Sequence, residues 1–143
     1  MKQILLVLLF STFSFSQTLV VSDYDLINTY SSIENERMYL FYSNKLVVVN
    51  LKNLSKKEVL YDSSNIKIRD FIGVSVNYKD YFLDPLGGGV YLFENYKFKR
   101  IDTSFKHRMQ IESSVFTYKN EIYKYGGYGF WSNRNFITKF NFE

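Results

Sequence analysis

The chain has 143 residues, of which 46% are hydrophobic, 22% charged and 20% aromatic. That balance excludes a disordered or linker-type chain, which would be poor in aromatics and unable to bury a core. Eighteen Lys and Arg face 14 Asp and Glu, a net charge of +4 that forms no basic stripe of the kind a nucleic-acid surface needs. There is no cysteine, which excludes disulfides, thiolate chemistry and lipid attachment to an N-terminal cysteine.

The first residues read as an export signal. Lys2 gives a positive start, Ile4 to Phe10 an apolar run, and Ser14 and Ser16 a small-residue cleavage site before Gln17. The run is too short to cross a bilayer as a helix. Residues 1–16 are therefore expected to be removed, leaving 17–143 in the periplasm or outside the cell with no membrane anchor. Loss of Lys2 leaves 17 basic groups against 14 acidic ones.

Downstream, short apolar or alternating runs recur between polar breaks, the pattern of strands. Strands are expected at Leu19–Ser22, Met38–Tyr42, Leu46–Leu51, Glu58–Tyr61, Phe71–Asn77 and Tyr81–Asp84. Further ones are expected at Val90–Glu94, Phe98–Asp102, Ser113–Tyr118, Ile122–Tyr125 and Phe136–Phe142. Ser31–Arg37 is the one segment that suits a turn or a short helix. Three polar breaks, Ser43-Asn44-Lys45, Lys79-Asp80 and Lys119-Asn120-Glu121, follow Tyr42, Tyr78 and Tyr118, which lie 36 and then 40 residues apart. Gly87-Gly88 answers Gly126-Gly127 about one period later. Repeats of about 40 residues with several strands and no helix predict an all-β chain of consecutive antiparallel four-stranded blades, because one small sheet covers its faces by stacking on the next. A simple meander or sandwich is the alternative.

The stretch from His107 to Phe142 resembles a kelch repeat. The residues that carry the likeness are Ser114 to Tyr125, the pair Gly126-Gly127, and Phe136 to Asn141. Val74 to Ile101, with Leu86-Gly87-Gly88-Gly89, resembles the same plan more weakly. The likeness implies a four-stranded blade, and Trp131 stands nearer the glycines than the family's tryptophan does. At this period the chain holds roughly three blades, short of the four to eight of a closed ring. The expectation is an incomplete ring whose open edges need further blades or a partner chain.

Chemistry is sparse. The copper radical site of galactose oxidase-like propellers needs a cysteine, and zinc sites need more than the single imidazole, His107. Gly87-Gly88-Gly89 lacks the Lys and Ser/Thr of a phosphate loop, and Asp23 with Asp25 is too sparse for calcium. No metal, no other cofactor and no catalytic residue is assigned. The richest local patch is Tyr128, Phe130, Trp131, Asn133 and Arg134, where aromatics and hydrogen-bonding groups share one loop. Tyr128, Phe130, Trp131 and Arg134 are the candidate ligand-binding residues, for a protein or a glycan. The competing structural reading is that these rings pack between blades. The expected function is an exported binding module. The alternatives are a carbohydrate-active enzyme or sugar mutarotase, for which Glu112 and Asp84 are the candidate acids, and a truncated product with no activity of its own.

Overall fold

A computed structural model describes residues 25–61, 66–86, 88–103, 110–129 and 131–142. The expected signal segment, the run Leu19–Ser22, Asp23, Gly87, His107 and Phe130 lie outside them.

The described chain is all-β. Strands β1 (Leu26–Ser32), β2 (Arg37–Tyr42), β3 (Leu46–Asn50) and β4 (Lys56–Val59) form one antiparallel meander. A single 3-10 turn, Ile68–Asp70, leads to the second meander. This comprises β5 (Ile72–Val76), β6 (Lys79–Leu83), β7 (Val90–Glu94) and β8 (Lys97–Arg100). The third sheet is built from β9 (Ser114–Tyr118), β10 (Glu121–Tyr125) and β13 (Ile137–Lys139), in the order β13-β10-β9. A two-stranded ribbon, β11 (Tyr128–Gly129) with β12 (Ser132–Asn133), is inserted between β10 and β13.

The sheets follow one another like blades. The first strands are neighbours, β1 against β5 and β5 against β9. Their first residues, Leu26, Ile72 and Ser114, are 46 and then 42 positions apart. The third unit departs from the expected four-stranded plan, since three strands pair in its sheet and the extra chain forms the ribbon.

The turns explain part of the register. Asn77-Tyr78, Asn95-Tyr96 and Lys119-Asn120 all hold positive φ at both positions, between 49° and 61°. That is the two-residue hairpin turn whose twist matches its strands. Lys79-Asp80 is therefore not a turn: both residues belong to β6, and Asp80 is buried. Ser43–Lys45 joins the second and third strands of its sheet, whereas Asn77-Tyr78 and Lys119-Asn120 join the first and second of theirs. The even spacing of Tyr42, Tyr78 and Tyr118 thus compares non-equivalent turns. The repeat rests on the sheets themselves; the glycines are not equivalent either, since Gly126 directly follows β10 whereas Gly88 stands five residues after β6. Ser31–Arg37 is no helix; it ends β1, turns at Ile33–Glu36 and begins β2.

Period-two alternation places each face. In the first sheet Tyr39, Phe41, Leu46 and Val48 point one way and pack against Phe82 and Phe93 of the second sheet. Aromatic rings dominate this interface, with Phe41–Phe82 centroids at 5.5 Å, Phe41–Phe93 at 5.7 Å and Tyr39–Phe93 at 5.4 Å. Leu40, Tyr42, Val47 and Val49 point the other way and are also buried. The second sheet's other face, Val76, Tyr81, Leu83 and Val90, packs against Ile122, Val115 and Phe140 of the third. The third sheet covers one face only. On its outer side Phe116, Tyr118, Tyr125 and Ile137 are exposed.

Candidate functional site

The β11–β12 ribbon carries the residues singled out in the sequence. It leaves the third sheet after the rung Tyr125↔Ile137. Gly127 sets the corner: at φ +87°, a Cβ there would stand 2.7 Å from the Ile111 carbonyl oxygen. A glycine is the residue that lets the two backbones approach this closely. The ribbon is then held at its base. Ile111 N donates to Tyr128 O at 2.9 Å, Tyr128 N to Ile111 O at 2.8 Å, and Arg134 N to Gly127 O at 2.7 Å. Ser132 Oγ adds a bond to Gly129 O.

At the tip stands Trp131, 93% exposed and in the left-handed region at φ 64°. That conformation costs an ordinary residue roughly 1–2 kcal/mol. Tyr128 is also exposed, Asn133 pairs with Tyr128 across the ribbon, and Arg134 is half-buried at its foot. Of the predicted group, then, Tyr128, Trp131 and Arg134 share one braced element, and Phe130 falls outside the described residues. Trp131 does not pack between sheets.

A second feature was not singled out in the sequence. Between the second and third sheets a cleft of about 390 Å³ opens among Leu83, Val90, Ile101, Ile122 and Phe140, with Lys124 in its wall. Asp102 also lines it, but its carboxylate accepts from Arg100 Nε and Nη2 at 2.9 and 2.8 Å and from Val90 N at 2.8 Å. Gln110 is buried and braces the far wall, donating to the Gly126 and Phe136 carbonyls and accepting from Thr138 Oγ1. Burial pushes the Lys124 ammonium below the usual lysine range, and the field of Asp84 only partly opposes it.

The carboxylates considered for catalysis are not paired. Asp84 Oδ1 accepts from Leu86 N and caps a turn. Glu112 is exposed, at φ 56° on the approach to β9. Among the described residues no group of three or more His, Cys, Asp or Glu side chains could hold a metal.

Neither protein-family models nor curated proteins give a match to this chain.

Proposed function

We propose that the chain is an exported binding module of kelch-like blades, which grips a protein partner through the Trp131 ribbon. The observation that carries this reading is the 93% exposure of Trp131 on an element whose base is fixed by backbone bonds on both sides. Exposing an indole in water forgoes roughly 1.5–3 kcal/mol of burial. A positive-φ tip adds strain. Both costs are sensible where the ring is to be buried by something else, and tryptophan is the residue most enriched at binding hot spots. A convex knob suits a partner with a pocket, which favours a protein over a flat sugar platform.

The kelch-like plan is supported by the meander order and by neighbouring first strands. The outer face of the third sheet supports a further sheet of the same kind beyond it. The turns at Asn77-Tyr78 and Lys119-Asn120 align Val74, Val76, Tyr81 and Leu83 with Phe116, Tyr118, Tyr123 and Tyr125. The first set is covered by the third sheet, and the second set is the exposed face.

The test is a photo-crosslinking residue placed at Trp131 and, as a control, at exposed Ile33, in the full chain expressed in its native cell. A discrete protein adduct at 131 and none at 33 is the expected result. Equal capture at both sites, or none at 131, overturns the reading. An adduct at 131 that is carbohydrate replaces the protein partner by a glycan.

A further inference from the structure

The aligned turns that match the outer faces also match the inner ones, and there one position breaks the pattern. Phe82 in β6 pairs with Gly73 and Tyr91, is fully buried, and fills the interface with the first sheet. The same position in the third sheet, paired with Val115 and Thr138, is Lys124. Its neighbours on that face, Val115 and Ile122, pack into the second sheet as expected. An ammonium therefore stands where the fold otherwise puts a large ring, and the cleft of about 390 Å³ lies beside it.

The other charges around this cleft are engaged. Asp102 is clamped by Arg100 and by Val90 N. Lys139 pairs with Glu121 at 2.9 Å. Asp84 caps the turn at Leu86. Among the described residues no hydrogen bond or ion pair engages the Lys124 side chain. A lysine stem lying along an apolar wall with its head in water is common enough. Here Lys124 lines a cleft and is half-buried, and burial lowers its proton affinity. A cation that meets only the field of Asp84 and no direct partner, beside Leu83, Val90, Ile122 and Phe140, has a definite complement: an anion with an apolar body.

We propose that the cleft between the second and third sheets binds a small aliphatic carboxylate, its head on Lys124 and its chain along Ile122, Leu83 and Phe140. Ligand sites of this kind join a mostly apolar wall to a few polar groups that fix orientation, and about 300–1,000 Å³ is their usual size. The site is separate from the Trp131 ribbon, and either can fail without the other.

Hexanoate and 1-hexanol, which share a tail and differ in charge, are the probes. Each is titrated into the full, methyl-labelled chain while the Ile122, Leu83 and Val90 methyl resonances are followed. Hexanoate is expected to shift them saturably and to bind at least about tenfold tighter than 1-hexanol, the size of one charge-assisted hydrogen bond. Lys124→Met, which keeps the length and apolar bulk, is expected to erase that preference. No saturable shift, shifts only at distant methyls, or equal affinity for the two probes overturns the proposal. So does a folded Lys124→Met chain that binds hexanoate as the parent does. If that variant does not fold, the comparison of the two probes on the parent chain decides alone.

Discussion

Tyr39 of β2 donates its phenol hydroxyl to Asp80 Oδ2 of β6 at 3.0 Å, and so ties the first sheet to the second through a buried carboxylate. Tyr30 of β1 donates to the other oxygen at 3.2 Å. The two rings stack at 6.0 Å, and Phe82 closes edge-on against Tyr30. A charge buried among aromatic rings is tolerated because both its oxygens are served. Asp80→Leu removes the acceptor and strands two hydroxyls between the sheets. A loss of about 2–5 kcal/mol is expected, read as a lower urea midpoint with an unchanged slope.

The same pair makes the fold sensitive to alkali. Burial first, and the negative field of Asp80 second, raise both phenols above their ordinary value, Tyr39 to about 12. The unfolded chain releases these protons near pH 10. Because the folded chain holds them longer, the stability they contribute is whole below about pH 10 and falls between there and pH 12. Urea unfolding at pH 9 and pH 11 should show this fall in the parent chain. Tyr39→Phe should be less stable at neutral pH but lose less on going to pH 11. An equal alkaline loss in both proteins would remove Tyr39 as a cause.

The close approach of the first two sheets depends on Gly73. A Cβ there would lie 2.8 Å from Tyr30 Cε2 and nearer still to Cγ. The ring cannot move aside, since Tyr39, Phe82 and Asp80 hold it on three sides. Gly73→Ala is expected to cost about 1–3 kcal/mol as overpacking. Phe41→Ala, at the centre of the same cluster and fully buried, should cost about 3–5 kcal/mol. Thermal unfolding of the two variants ranks them; a neutral Gly73→Ala would mean the sheets can separate without penalty.

How far local pattern carries is visible in these same residues. The sequence pattern predicts Val90–Glu94 with its observed bounds, and β2, β3, β9 and β10 to within a residue or so, because their apolar or alternating runs are bounded by turn residues. β1 escaped notice. Its sequence, LINTYSS, has little apolar rhythm; beyond its pairing with β2 it is fixed by distant partners, with Asn28 Nδ2 donating to the Ile68 and Phe71 carbonyls. Asp80 looks like a turn residue for the same reason: the tyrosines that bury it come from 41 and 50 positions away. The two-residue strands of the ribbon are too short to show any period. Lys124 left a trace that could have been read. It shares a strand face with Ile122, so the side that turns Ile122 to the core turns Lys124 inward too.

The Trp131 ribbon separates a stability role from a binding role. Trp131 touches little of the fold, being 93% exposed. Trp131→Ala should therefore shift stability by no more than about 0.5 kcal/mol. Gly127→Ala attacks the same element from its base. At φ +87°, with the Ile111 carbonyl in the way, an alanine must push the ribbon off its seat. It should loosen the Ile111–Tyr128 pair, seen as faster amide hydrogen exchange at Ile111 and Tyr128, while the Phe41–Phe82 interface keeps its protection. If recognition needs the indole held on its braced base, both variants lose the partner although one leaves the indole intact. Retained capture by Gly127→Ala, with exchange at Tyr128 raised, would show that a mobile indole suffices and that the braced base is not part of recognition.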